Sequence, residues 1–280
     1  MTRRLLGALL ATALLMVGCA DRQPPRDVVV GAGADAESAV LAELYAAALR
    51  YRGSPARVER LPDPVAGLDS GEVSVVPGFT GRLLQRFSPG SKAIEDKDVY
   101  RAMVSALPEG IAAGDYAMSA EDKPAVAVAR TTADAWGGRD LAVLVRHCSQ
   151  VTTGSVAGAQ PPTRVGSCTL AAPREFPTEA ELFDALRANQ INAAWTTTAS
   201  PDIPVDVVVL ADRPPPMVRA ENVVPLYRRN ELSEQEMLAL NEVAGELDTS
   251  ALADMRRHVA QGADPRQVAD GWLAAHPLGR

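Results

Sequence analysis

The succession of predicted elements after Asp27 constrains the fold more than any other feature of the sequence. DVVVGAG (27–33) predicts a buried strand that ends in a glycine turn, and an amphipathic helix follows it. GSPARVERL (53–61) predicts a second strand, and SGEVSVVPG (70–78) predicts a third strand after a short helix. Strands that alternate with helices in this way are typical of an α/β fold with a parallel sheet.

A second α/β unit begins near Ala117, and the chain becomes mostly helical after the triple proline at 214–216. The length of 280 residues, of which 47% are apolar, suits one large domain or two small ones. We therefore predict an α/β fold of two lobes joined by two crossings. Lobe 1 is expected to comprise residues 28–117 and 206–280, and lobe 2 residues 118–205.

The N-terminus has the features of an export signal. Two arginines precede an apolar run at residues 5–17, which has the length of a signal-peptide core and is short for a membrane span. The run leads into LLMVGC, where a glycine stands directly before Cys19, as at the processing site of bacterial lipoproteins. We predict a signal peptide at 1–18 and a lipidated tether at 19–27, which would hold the exported protein on the outer face of the cell membrane. The alternative is an ordinary cleaved signal with an incidental cysteine.

Cys148 and Cys168 remain once Cys19 is assigned to the lipid. In an exported protein such a pair is more often a disulfide than two free thiols. The loop between them would also gain stability from a covalent link. A metal site is the alternative, but two cysteines and three scattered histidines show no ligand spacing. We predict a disulfide, with no metal and no cofactor.

Charge and motif content exclude several classes of function. The net charge of −7 is spread without long runs, which argues against nucleic-acid binding. No nucleophile–base set and no phosphate-binding loop is present, and GAGADAES (31–38) lacks the third glycine of a dinucleotide-binding turn. We expect a monomeric binding protein and not an enzyme.

Several segments occur in an order that carries a family resemblance. They include VVVGAGADAESAVLAELYAAAL (28–49), SGEVSVVPGFTGRLL (70–84), AEDKPAVAVARTTADAWG (120–137) and WTTTASPDIPVDVVVLAD (195–212). The chain resembles the glycine betaine and osmoprotectant-binding proteins of bacterial ABC importers, which have the periplasmic-binding-protein type 2 fold. The resemblance implies two lobes, each a mixed sheet flanked by helices, that close on a solute and then dock on the permease.

The turn VVPGFTG (75–81) supplies two candidate ligand-binding residues. Phe79 would offer an aromatic face to a trimethylammonium group, and Thr80 a hydroxyl to the other end of the same solute. The alternative is structural, with Phe79 in the core and Thr80 capping a helix. The position at a strand end favours the binding site, because ligands of such folds lie at the carboxyl ends of strands.

The resemblance places further candidates at the first helix and at the two crossings. Glu37 and Ser38 match the start of the family's first helix, whose N-terminus attracts anions; simple capping is the alternative. Asp122 and Lys123 match the first crossing, where a solvated charged turn is the alternative. The return crossing supplies the remaining candidates, which are Trp195, Thr196, Thr197 and Thr198. Trp195 is expected to face Phe79 across the cleft.

Two departures from the family pattern leave the solute open. Pro124 stands where a cage tyrosine is usual, and Gly78 stands where a glutamate is usual. We expect a small polar solute of the betaine or choline type, for which a quaternary amine is possible. The alternative is a lipoprotein of the same fold whose cleft serves protein interaction.

Overall fold

The computed structural model describes residues 26–279. Its strands are β1 (Val28–Ala32), β2 (Ala56–Arg60), β3 (Val75–Phe79), β4 (Ile111–Ala113), β5 (Pro124–Ala129), β6 (Thr153–Val156), β7 (Arg164–Val165), β8 (Cys168–Thr169), β9 (Arg174–Phe176), β10 (Ala193–Thr197), β11 (Val207–Val209) and β12 (Val223–Arg228). Its α-helices are α1 (Ala36–Tyr51), α2 (Pro64–Ser70), α3 (Thr80–Phe87), α4 (Asp96–Ala106), α5 (Arg130–Trp136), α6 (Leu141–Arg146), α7 (Glu179–Arg187), α8 (Glu234–Glu246), α9 (Thr249–Ala260) and α10 (Pro265–Ala275). None of these helices is long and apolar enough to cross a membrane.

The first lobe is built on a sheet with the strand order β2-β1-β3-β12-β4. Strand β1 runs parallel to β2 and β3, whereas β12 runs antiparallel to β3 and β4. The carboxyl ends of β1 and β3 therefore meet the start of β12 at one edge of the sheet. Helix α1 is buried on nearly all sides, because the sheet covers one of its faces and α8, α9 and α10 cover the others.

The second lobe is built on a sheet with the strand order β11-β5-β10-β6-β9. Strand β10 lies in its centre, antiparallel to β5 and parallel to β6. The α/β class with two mixed sheets flanked by helices, predicted from the sequence, is confirmed. The boundary predicted between residues 205 and 206 needs a correction, because β11 pairs with β5 and so belongs to the second sheet.

The two lobes are connected by two crossings, at residues 114–123 and 210–222. The crossings lie side by side, since the backbone N–H of Asp122 donates to the carbonyl oxygen of Glu221 at 2.9 Å. Helix α9 of the first lobe also reaches the second lobe, because Arg256 Nη1 donates to the carbonyl oxygen of Ala199 at 3.0 Å.

The predicted disulfide between Cys148 and Cys168 is confirmed, with an S–S distance of 2.03 Å. It joins a 3-10 turn at Cys148–Gln150 to the hairpin of β7 and β8. The second lobe therefore holds its irregular segment between β6 and β9 with a covalent link.

Candidate functional site

A crevice of about 300 Å³ opens at the carboxyl ends of β1 and β3. Its lining includes Glu37 and Ser38 from the start of α1 and Phe79 and Arg82 from the turn into α3. Asp35 caps α1 by accepting from the backbone N–H of Ser38 at 2.8 Å. The Ser38 hydroxyl in turn accepts from the N–H of Gly33 at 2.7 Å, so it orders the turn that forms one wall of the crevice.

Four charged side chains meet beside this crevice and form what we call the charge cluster, consisting of Glu37, Arg82, Asp122 and Arg256. Arg82 Nη1 lies 2.7 Å from Glu37 Oε2, and its Nη2 lies 2.8 Å from Asp122 Oδ2. Arg256 Nη1 lies 3.0 Å from both Glu37 Oε1 and Asp122 Oδ1. The cluster thus contains two carboxyl groups and two guanidinium groups, brought together from α1, α3, the first crossing and α9.

The two carboxyl groups of the cluster titrate differently. Burial raises the pKa of Glu37 to about 7, and the charge of Asp122 adds to this, while Arg256 and Arg82 oppose it. Burial also favours the neutral form of Asp122, but the charge of Arg256, hydrogen bonding to the carboxylate and the charge of Arg82 together lower the pKa of Asp122 below its ordinary value. Glu37 is therefore the group that gains or loses a proton near neutral pH, and Asp122 stays ionised.

Asp122 also joins the two lobes through its side chain. Only 2% of this side chain is exposed, and its Oδ1 accepts from the backbone N–H of Ala199 at 3.2 Å. Thr197, at the end of β10, helps to lower the pKa of the same carboxyl group. The charge cluster therefore lies at the contact between the lobes, where a change in their spacing must change its contacts.

Lys123 and Thr198 line a different cavity, of about 230 Å³, on the side of the second lobe. The backbone N–H of Lys123 donates to Thr198 Oγ1 at 3.1 Å, and this hydroxyl donates to the carbonyl oxygen of Glu121 at 3.0 Å. Lys123 Nζ lies 3.4 Å from Glu121 and 3.5 Å from Asp212. The two residues bind the crossings to β10 and are not beside Phe79.

The structure does not bring Phe79 and Trp195 together, which corrects the prediction that they face one another across the cleft. Trp195 lies within β10 opposite Val126 and packs in the core of the second lobe with 5% exposure. Phe79 is 4% exposed, packs against the core of the first lobe, and is covered by Arg82, whose guanidinium carbon lies 4.3 Å from the ring centroid. Phe79 is thus part of the crevice wall, and Trp195 is not.

The hydroxyl groups of Thr80 and Thr196 form hydrogen bonds with other residues of the protein. Thr80 is fully buried, and its hydroxyl oxygen accepts from the backbone N–H of Asn222 at 3.1 Å. Thr196 donates to Glu179 Oε1 at 3.0 Å within the second lobe. Neither residue lines the crevice, because Thr80 bonds to the second crossing and Thr196 to α7.

Sequence reasoning did not single out Arg82, Arg256 or Glu221. Glu221 accepts from the backbone N–H of Arg82 at 2.7 Å, and so it caps α3, whose own N-cap residue Phe79 has no side-chain acceptor. A signal existed for Arg82, because a cation in the first turn of a helix opposes the helix dipole and needs a carboxylate nearby. Arg256, in the middle of α9, carries no such local signal.

Glu221 gives a testable pH dependence of stability. Burial raises its pKa to about 7, although hydrogen bonds from Arg82 and Gly81 and the charge of Arg82 oppose the rise. A carboxyl group with a raised pKa binds more protons in the folded chain, so the free energy of unfolding falls as pH rises from about 4.5 to 7. At ~1.4 kcal/mol per pKa unit, Glu221 alone accounts for up to about 3 kcal/mol.

We expect Glu221→Gln to remove that share of the pH dependence, measured by urea unfolding at pH 5 and pH 8. Glu109→Gln, which alters an exposed carboxyl group, is the control and should follow the wild type. Equal pH dependence in Glu221→Gln and the wild type would contradict the raised pKa.

Two α/β lobes joined by two crossings, with charged residues where they meet, define a periplasmic-binding-protein type 2 fold. The OpuAC family, described as the substrate binding domain of the ABC-type glycine betaine transport system, matches residues 26–275. The chain therefore belongs to this family, whose members bind solutes for ABC transporters and are not enzymes. None of the curated proteins matches the chain significantly.

Solved structures of the same fold agree over most of the chain. A glycine betaine/carnitine/choline ABC transporter structure superposes with a TM-score of 0.75 at 15% identity, over 89% of this chain and 98% of that chain. Apo YehZ from Escherichia coli gives a TM-score of 0.70 at 20% identity, over 90% of this chain and 99% of that chain. An ABC-transporter choline binding protein in complex with choline gives 0.57 at 14% identity, over 91% of each chain.

Proposed function

We propose that the chain is an extracytoplasmic, lipid-anchored receptor that delivers a small solute of the betaine or choline type to an ABC permease. The observation that carries this proposal is the charge cluster of Glu37, Arg82, Asp122 and Arg256, because it combines both signs of charge beside an aromatic ring where the lobes meet. A zwitterionic solute needs such a combination, with carboxylates near its ammonium group and guanidinium donors near its own carboxylate. Family membership supports the same class of solute.

In the proposed site, the crevice residues hold the solute from the first lobe and the crossing residues hold it from the second. Glu37 and Asp122 would attract the ammonium group, and Phe79, whose ring face Arg82 covers, would supply apolar contact at the crevice wall. Ser38 would keep the β1–α1 turn in place. Thr197, at the end of β10 near Asp122, would approach the solute as the lobes close. Lys123 and Thr198 would support the site by holding the first crossing to the end of β10. Thr80, Trp195 and Thr196 would support the site from inside the lobes.

The proposal includes a monomeric receptor whose closed form docks on the permease and whose tether is lipidated at Cys19. Cys19 and the signal peptide lie outside the described residues 26–279. We expect Cys19→Ala to shift the protein from the membrane fraction to the soluble extracytoplasmic fraction after cell fractionation. Membrane attachment that persists in Cys19→Ala would contradict lipidation at this residue.

A second candidate function is an interaction lipoprotein with a cleft that no longer takes a solute. One observation favours it: both carboxyl groups of the cluster already pair with arginines, and Arg82 already covers Phe79. A panel of betaines, choline and carnitine, tested by thermal unfolding of the soluble chain, separates the two functions. Because a ligand that binds the folded state stabilises it, a solute at ~100 times its Kd should raise Tm by about 5 °C or more. No shift with any solute, in a chain that unfolds cooperatively, would favour the interaction protein.

A further inference from the structure

Arg82 occupies the place where a solute's ammonium group would meet Phe79. Its guanidinium carbon lies 4.3 Å from the ring centroid, within the range of a cation–π contact. Its Nη1 lies 2.7 Å from Oε2 of Glu37, which lines the same crevice as Phe79. The chain therefore places a cation of its own on the aromatic face.

Several contacts fix Arg82 in this position. Its Nη2 donates to Asp122 Oδ2 at 2.8 Å and to the Asp122 carbonyl oxygen at 3.3 Å. Its backbone N–H donates to Glu221 at 2.7 Å, which holds the first turn of α3 against the second crossing. A solute would have to displace a side chain held by Glu37 and Asp122 in order to take its place on the ring.

Arg82 is also open to the crevice. Its side chain is 48% exposed and lines the cavity together with Glu37 and Phe79. Its hydrogen bonds use Nη1 and Nη2, and among residues 26–279 its Nε has no acceptor. A guanidinium group carries five N–H donors, so Arg82 can receive a carboxylate while keeping its contacts with the charge cluster.

We propose that Arg82 determines the specificity of the site by requiring a carboxylate on the solute, so that betaines bind and choline, a plain cation, is rejected. This inference rests on the proposed function. With Glu37 ionised, the two carboxylates are balanced by Arg82 and Arg256 and leave no negative charge for a cationic solute, and protonation of Glu37 only makes the cluster more positive. Without Arg82, the cluster with Glu37 ionised would keep one uncompensated negative charge beside an uncovered Phe79 ring, which is what a plain quaternary cation needs.

The test compares the Kd values of glycine betaine and choline for the wild-type chain and Arg82→Gln by calorimetric titration. We expect the wild type to bind betaine at least about tenfold more tightly than choline, since a charge-assisted hydrogen bond is at stake. In Arg82→Gln the order should reverse, through weaker betaine binding and tighter choline binding. The ratio of the two Kd values is the readout, because a merely structural role of Arg82 would weaken both solutes together.

Two further variants keep the result interpretable. Arg86→Gln removes another arginine of α3, which pairs with Asp63 away from the cluster, and should leave the ratio unchanged. Arg82→Lys keeps the positive charge and should keep the preference for betaine, even if Arg82→Gln does not fold.

The outcomes separate the inference from the proposed function. An equal ratio in the wild type and Arg82→Gln, choline binding as tight as betaine binding in the wild type, or loss of the betaine preference in Arg82→Lys would overturn the role of Arg82 and leave the receptor function intact. Binding of neither solute by the wild type or by any folded variant would overturn the receptor function and the inference with it.

Discussion

Asp122→Ala should lower the free energy of unfolding by about 3–5 kcal/mol, because it removes one partner from a buried set of ion pairs. The Asp122 carboxylate lies 2.8 Å from Arg82 and 3.0 Å from Arg256, and it also accepts from the backbone of the second lobe. In its absence the two guanidinium groups of the cluster share a single carboxyl group, that of Glu37. The variant should therefore lose stability and, with it, the arrangement that binds the solute.

Urea unfolding checks this prediction through the midpoint of the transition, provided that the slope m stays unchanged. Asp254→Ala is the matched control, because it removes an exposed carboxylate that pairs with Arg257 on the same helix. That pair should contribute at most about 0.5 kcal/mol. A loss below ~1 kcal/mol for Asp122→Ala would show that the charge cluster does not hold the lobes together.

Gly81→Ala should destabilise the chain by about 2–3 kcal/mol through overpacking. A Cβ at this position would lie 2.5 Å from the carbonyl oxygen of Ala220 and 2.6 Å from Glu221 Oε1. The carbonyl oxygen belongs to the second crossing and can move only with the backbone, so α3 must shift and Arg82 with it. The gain in helix propensity from alanine, at most ~1 kcal/mol, does not offset this clash.

A glycine-to-alanine substitution at another position should have the opposite effect on stability. Gly245 lies in α8, and a Cβ there would meet nothing within 4 Å. Gly245→Ala should therefore stabilise the chain by up to ~1 kcal/mol. Thermal or urea unfolding of both variants gives the comparison, and equal effects at Gly81 and Gly245 would contradict the close approach of α3 to the second crossing.

Much of the fold was predictable because short sequence patterns identify its strands and helices. The apolar strand before Gly31, the amphipathic helix after it and the disulfide pair follow from patterns within short segments. The assignment of β11 to a sheet could not be made in this way. An apolar strand shows that it is buried but not which strand it joins, and its pairing with β5 connects segments far apart in the sequence.

The position of the Trp195 side chain could not be predicted from a local sequence pattern either. Strand β10 lies in the centre of its sheet, and four of its five residues are buried. The strand therefore has no alternation of apolar and polar residues that would show which side chains face a cleft. A tryptophan before three threonines also resembles a loop residue. Packing within the second lobe, rather than residue type, decides its position.

The candidate site was predictable only in part. The positions of Glu37, Phe79 and Asp122 follow from the rule that ligands bind at strand ends and crossings. Their partners come from α3 and α9, and only the tertiary fold brings Arg256 to Glu37. A sequence pattern that covers one element at a time cannot show that two carboxylates will be neutralised by two arginines from elsewhere.

The central claim is that one solute of the betaine type binds between the lobes beside the charge cluster. Calorimetric titration of glycine betaine into the soluble wild-type chain tests it most directly. The account predicts saturable heat with one solute bound per chain. An absence of saturable binding into the millimolar range, by a chain shown to be folded, would contradict it.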